Sequence, residues 1–201
     1  MSYPAFFAEV PPLRLYDPLA ELLGAAEGGL LEYRYEDAVK LAGHSCPTVA
    51  GAWLMTRLAL GRLYPDDLPR RGGIGVELRD RQDAGVAGVV GAVLGLLTGA
   101  AGEGGFKGVN GHHARRGLLH YGVAMAAEAR FTRQDSGASV AVAYNPASVQ
   151  PDPAMPALMK RCFAGEANAE QRVAFGRLWQ DRVRRILLEH GDDPEVVQIV
   201  A

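Results

Sequence analysis

The stretch AGVAGVVGAVLGLLTGAA, residues 84–101, contains no charged residue. Glycine recurs in it at near-helical spacing, a pattern that lets a helix pack closely on its neighbours. Eighteen uncharged residues approach the length of a membrane span, but strongly lipophilic side chains are few. Asp83 and Glu103, the nearest charges on either side, are acidic and give no positive anchor. We therefore predict a buried central helix and no membrane partner.

The patterns around this helix predict an α+β fold. The expected order is helix, strand, helix, β-hairpin and terminal helices, which breaks the regular alternation of a doubly wound sheet. The elements are helices over 36–42, 48–64, 157–163 and 168–189, and strands over 73–78, 124–132 and 139–144. We predict an antiparallel sheet packed on the glycine-rich central helix, with additional C-terminal helices.

Composition indicates how the chain is divided into segments and argues against binding to nucleic acid. Proline-rich residues 1–34 predict an N-terminal arm, residues 35–145 the α+β domain, and residues 146–201 a linker with helices packed on the domain or on a dimer partner. A net charge of −2 gives no general attraction to nucleic acid. Two cysteines and no recognisable signal peptide favour a reducing, cytoplasmic location.

A histidine and a cysteine precede the predicted helix over 48–64. His44 and Cys46 are two residues apart, and Pro47 suits the first turn of a helix. Cys46 would lie at the positive end of the helix dipole, a setting that favours the thiolate. Such a pair serves as a nucleophile with its base, or as two ligands of a metal ion. A small buried cysteine without a chemical role is the alternative.

A second group of basic side chains lies in a glycine-rich loop. Three of the five histidines fall within nine residues, and His112 and His113 are adjacent. Lys107, Arg115 and Arg116 add fixed positive charge, so we predict that they bind a small anionic ligand or cofactor. A solvent-exposed polar loop is the alternative.

Together the two groups predict a transition-metal site. A cysteine with two histidines and one open position suits catalytic zinc, and iron or haem is the alternative. The predicted metal ligands are His44, Cys46, His112 and His113. If the protein is an enzyme, the catalytic residues are Cys46 and His44, with or without a metal.

The segment from His44 to Gly51 resembles the Gly-His-x-Cys-Pro-x-x-x-Gly signature of the FmdE domain family, which takes its name from a component of formylmethanofuran dehydrogenase. The likeness extends over residues 35–145. Weaker matches follow in chain order at Asp83-Ala84, Gly91 with Gly95, His120-Tyr121-Gly122 and Asp135-Ser136-Gly137.

The resemblance implies that His44 and Cys46 are ligands of a metal, usually zinc, and it supports a homodimer. Arg81 or Gln82 and Ala92 stand where the family commonly has cysteines, so loop histidines are expected to replace the missing ligands. We predict an FmdE-like metal-binding protein whose basic loop closes over the site, and we leave open whether it is an enzyme. The alternatives are a non-catalytic carrier or sensor of metal or haem, and a metal-free cysteine hydrolase.

Overall fold

The computed structural model describes residues 3–200, so Met1, Ser2 and Ala201, at the ends of the predicted arm and terminal segment, lie outside the described residues. Within the described range the chain forms six α-helices and two β-sheets. This confirms the predicted α+β class.

The fold is built around one long helix, α3 (Pro47–Leu63). It begins where the sequence predicts, because Pro47 occupies the first turn and Cys46 caps it, with Sγ accepting a hydrogen bond from the Val49 N–H at 3.5 Å. Most of the helix is buried, and the Trp53 side chain is fully enclosed. Burial on several sides explains why the helix is apolar around most of its circumference.

Five strands form the main sheet, in the order β4-β3-β5-β6-β7. They are β3 (Ile74–Leu78), β4 (Leu119–Tyr121), β5 (Ala129–Arg133), β6 (Ser139–Tyr144) and β7 (Val197–Val200). The β3–β4 pair is parallel and the other pairs are antiparallel, so the sheet is mixed and not purely antiparallel as predicted. The reason is the long connection between β3 and β4, since a crossover through a helix returns the chain in the same direction.

Three other helices pack against α3: α2 (Tyr35–Ala42), α4 (Ala87–Thr98) and α6 (Ala169–Arg184), which continues into a π-helical turn (Arg185–Glu189). Helix α5 (Met155–Phe163) packs on α6, and α1 (Pro18–Leu22) lies in the N-terminal segment. Helix α3 packs on β5, β6 and β7, whereas α4 lies beside α3 and packs on β3 and β4 at one edge of the sheet. The central helix is therefore α3 and not the glycine-rich helix, because α3 carries the large side chains that fill the sheet face.

The glycine-rich helix α4 nevertheless packs as closely as its spacing predicts. A Cβ atom at Gly91 would lie 2.1 Å from Tyr121 Oη, and one at Gly95 would lie 2.8 Å from the Ala100 carbonyl oxygen. Both distances are shorter than van der Waals contact, so a larger residue would displace its neighbours. No helix between residues 3 and 200 is long and apolar enough to cross a membrane.

Both ends of the described chain join the core. The predicted arm forms a separate hairpin from β1 (Leu13–Tyr16) and β2 (Leu30–Tyr33), and its buried Phe7 ring lies 5.0 Å from the Tyr35 ring. At the other end, β7 extends the main sheet beside β6. The sequence predicted neither the hairpin nor β7.

We expect Gly51→Ala to lower the free energy of unfolding by about 1–3 kcal/mol, a typical loss on overpacking. A Cβ atom at Gly51 would lie 2.3 Å from two carbon atoms of the Tyr144 ring. Gly61, in the same helix, faces open space. Gly61→Ala should therefore stabilise by about 0.4–1 kcal/mol. Urea denaturation of both variants checks the prediction, and equal effects of the two changes would contradict the close contact with Tyr144.

Candidate functional site

The predicted His44 and Cys46 pair lies at the start of α3. The Cys46 side chain is buried and only 7% exposed, whereas His44 lies at the surface. His44 Nδ1 is 2.9 Å from the Ala42 carbonyl oxygen, which leaves Nε2 without a hydrogen-bond partner among residues 3–200. The structure thus keeps the pair on one short turn, with a free imidazole nitrogen beside a capping thiol.

Helix α6 holds this turn in place. Trp179 Nε1 and Gln180 Nε2 both donate to the Ser45 carbonyl oxygen, at 2.9 and 3.2 Å. The Ser45 hydroxyl is 3.2 Å from the buried Tyr35 hydroxyl, and burial raises the pKa of Tyr35. The sequence placed Trp179 on the apolar face of the terminal helix but gave no sign that it bonds to the cysteine turn.

Tyr144 connects the same turn to the sheet. It ends β6, its ring lies against Gly51, and its hydroxyl donates to the Pro47 carbonyl oxygen at 2.8 Å. Burial raises the pKa of Tyr144, so the hydroxyl stays protonated and acts as a donor.

The first turns of α3 line a cleft of about 130 Å³, which we call the helix-start cleft. Its lining is mainly apolar, with two carboxyl and two hydroxyl groups as the polar members. The lining residues are Thr48, Met55, Leu78, Asp80, Val86, Ala87, Val90, Glu128, Tyr144 and Pro146. A small apolar cleft with a few polar groups is the usual form of a small-molecule site.

Glu128 is a partly buried carboxyl in the lining of the cleft. Burial raises its pKa, although the hydrogen bond from the Tyr144 backbone N–H at 2.6 Å and the charge of Arg79 oppose the rise. Asp80, the other carboxyl of the lining, is exposed and accepts a hydrogen bond from Arg79 Nε at 3.1 Å. Sequence reasoning missed Glu128, since nothing around it in the chain distinguishes it from a surface glutamate.

The start of α4 forms the facing wall of the helix-start cleft. Val86 caps the helix without a side-chain hydrogen bond, and Val86, Ala87 and Val90 all line the cleft. The Ala87 N–H donates to the Ala84 carbonyl oxygen and the Val90 N–H to the Val86 carbonyl oxygen, so these two residues offer the cleft no free backbone donor. This wall therefore contributes apolar side chains to the cleft.

The basic loop has a different environment from the one predicted. Arg115 is buried, and its Nη2 donates to Asp17 at 2.7 Å, while Arg71 bonds to the same carboxylate at 3.0 Å. Lys107 and Arg116 are exposed and form no ion pair within residues 3–200. Arg115 therefore ties the N-terminal hairpin to the domain, a structural role that depends on Asp17 and that the sequence did not predict.

The structure does not bring the loop to the cysteine. Arg133 donates to the carbonyl oxygen of Leu63, the last residue of α3, and forms an ion pair with Asp135. Asp135 lines the same cleft as His113 and Arg115, so this part of the loop lies near the end of α3. Cys46 caps the other end of the helix, and a helix of 17 residues is about 25 Å long. His112 and His113 thus lie at the opposite end of α3 from the pair that they were predicted to complete.

The described residues contain no group of three or more histidine, cysteine, aspartate or glutamate side chains that could hold a metal ion. His120, another histidine of the loop region, is exposed, and its Nε2 is 2.8 Å from the Gly117 carbonyl oxygen. Metal binding at His44 and Cys46 therefore stays a prediction. Such a site would need further ligands from outside the described residues of this chain.

No protein-family model, no curated protein and no solved structure matches this chain.

We expect Asp17→Asn to lower the free energy of unfolding at pH 7 by about 3–5 kcal/mol, because it leaves buried guanidinium charge uncompensated. Burial alone would raise the pKa of Asp17, but hydrogen bonds from Arg71 and the Ala20 N–H and the charge of Arg115 together lower it. Its stabilisation is therefore present above the unfolded-state pKa, about 3.9, and is lost as pH falls through the folded value.

Chemical denaturation between pH 7 and pH 2 checks this prediction. Wild-type stability should decline more steeply in acid than that of Asp17→Asn. Asp66→Asn is the control, because Asp66 is exposed and forms no ion pair in the described part of the chain. Parallel acid profiles for wild type and Asp17→Asn would contradict the role of the Asp17 carboxylate.

Proposed function

We infer that the protein binds a small, compact molecule in the helix-start cleft. The volume of about 130 Å³ is close to that of an engineered cavity of about 150 Å³ that accommodates benzene. The apolar lining favours a molecule with an apolar body. The observation that carries this inference is the Glu128 carboxyl, which has a raised pKa and lies in an otherwise mainly apolar wall.

The polar groups of the cleft define what the ligand must carry. Glu128 in its ionised form accepts hydrogen bonds, and Thr48 and Tyr144 offer hydroxyl oxygens. A hydroxyl or amino group on the ligand would satisfy Glu128. We therefore propose a neutral ring-sized molecule with one hydrogen-bond donor.

The same arrangement suits proton transfer. A carboxyl with a raised pKa holds its proton to higher pH than an ordinary glutamate and so suits the role of general acid or base. If the protein is an enzyme, Glu128 is the residue that we propose as general acid or base.

Phenol and its methyl ether, anisole, test the proposal, since they share a ring but only phenol can donate to Glu128. NMR titration should show saturable shifts of the Met55 and Val90 methyl signals with phenol. Anisole should bind roughly tenfold more weakly, because it lacks one hydrogen bond to a charged group. Binding of both probes with equal affinity would contradict the role of Glu128.

Val90→Phe should abolish phenol binding by filling the cleft. Val173→Phe is the matched control, because Val173 lies on the surface of α6 and is 73% exposed. Loss of binding in both variants, or in neither, would count against the helix-start cleft as the site.

Metal binding is the second candidate function, and it uses His44 and Cys46. A metal-ligating histidine usually hydrogen-bonds through its other ring nitrogen to a backbone carbonyl or carboxylate, and His44 Nδ1 makes such a contact with Ala42. The resemblance of this turn to FmdE domains supports the same two ligands. Zinc is the metal that we propose first, with the remaining ligands from a second copy of the chain.

Elemental analysis of purified wild type, Cys46→Ser and the matched control Cys162→Ser tests this candidate. Wild type and Cys162→Ser should carry zinc, while Cys46→Ser should lose at least 10–100-fold in zinc affinity, roughly the effect of removing an outer partner of a ligand. The double change of His112 and His113 to alanine should leave the zinc content unchanged, since these residues lie at the other end of α3. A zinc-free wild type, or a metal-loaded monomer in light scattering, would contradict the shared site.

A further inference from the structure

A second cleft lies at the opposite end of α3, with a volume of about 280 Å³, and we call it the arginine cleft. Three guanidinium groups line it, from two separate segments of the chain. Arg70 and Arg71 precede β3, and Arg115 comes from the glycine-rich loop. The cleft shares no lining residue with the helix-start cleft.

The charges of the arginine cleft are only partly compensated. Asp17 pairs with Arg71 and Arg115 together, so one carboxylate faces two guanidinium groups. Asp135, the acidic residue of the lining, is engaged by Arg133 at 2.8 and 2.9 Å, and the hydrogen bond from Arg133 lowers its pKa to about 2. The cleft therefore retains net positive charge.

One guanidinium group of the lining also keeps free hydrogen-bonding capacity. It is not that of Arg115, whose side chain is only 9% exposed and whose Nη1, although without a hydrogen-bond partner, is enclosed beside Gly72 and Gly99. Arg70 is exposed and forms no ion pair within the described range. Free donors on convergent arginines are what a carboxylate or phosphate group binds.

The loop conformation brings a fourth basic group to the cleft. His113 lines it and has a φ of 60°, and Asn110 in the same loop has a φ of 48°. Left-handed conformations at residues other than glycine are unfavourable and persist where the surroundings impose them, often at ligand sites. Gln134, on the facing wall, adds an uncharged amide.

We propose that the arginine cleft binds a small oxyanion, the phosphate or carboxylate group of an organic molecule. Arg70 provides an unpaired guanidinium group, Arg71 and Arg115 add positive charge to the lining, and His113 and Gln134 offer additional hydrogen bonds. This site is independent of the proposed small-molecule cleft and of metal binding, because both of those lie at the start of α3.

Isothermal titration of the full chain with inorganic phosphate and with malonate tests the proposal, with sodium chloride at matched ionic strength as reference. At least one of the two anions should bind saturably, and the tighter one identifies the class of ligand. Arg70→Gln should weaken this binding about ten- to a hundredfold, since it removes hydrogen bonds between charged groups. Arg70 forms no ion pair in the described chain, so the fold should be unaffected.

Arg177→Gln is the matched control, because Arg177 is exposed on α6 and forms no ion pair in the described structure. It removes the same charge and should leave binding unchanged. His113→Gly, which suits the positive φ, should weaken binding without loss of stability. The proposal would be overturned if neither anion binds beyond the chloride reference, or if Arg70→Gln and Arg177→Gln have equal effects.

Discussion

The contact between the Tyr144 ring and Gly51 is the constraint on which the rest of the structure depends. It brings the start of α3 against the end of β6, at a distance that only a glycine in the helix allows. The same tyrosine donates its hydroxyl to the Pro47 carbonyl and its backbone N–H to Glu128. One residue therefore sets the position of the central helix, the edge of the helix-start cleft and the orientation of the half-buried Glu128 carboxyl.

The local parts of the fold were predictable because local signals specify them. Pro47 after Cys46 marked the start of α3, and Asp135-Ser136-Gly137 marked the turn between β5 and β6. The short strands β4 and β7 were not predictable. A strand of three or four residues has little pattern of its own, and it forms here because β3 and β6 offer unpaired edges.

The site residues also divide into those that neighbouring residues made predictable and those whose contacts come from distant parts of the chain. The capping position of Cys46 followed from its neighbours in sequence, and the structure bears it out. The partner of Arg115 is Asp17, 98 residues away in the chain. No local pattern connects such residues, so the sequence did not predict that Arg115 bonds to Asp17. Glu128 was missed for the same reason, because the apolar walls around it come from α3, α4 and β3.

Asp17 and Glu128 show how differently the fold treats two carboxyl groups that it removes from water. Asp17 receives two guanidinium groups and two helix N–H groups, which more than offset its burial, so the structure explains its presence as stabilisation. Glu128 receives one backbone hydrogen bond and no ion pair within residues 3–200, and burial dominates its ionisation. A group with a raised folded-state pKa loses its stabilising contribution as pH rises through that value, so near neutrality the Glu128 carboxylate does not favour folding. Packing does not explain an acid at this position, whereas a ligand that donates a hydrogen bond to it would.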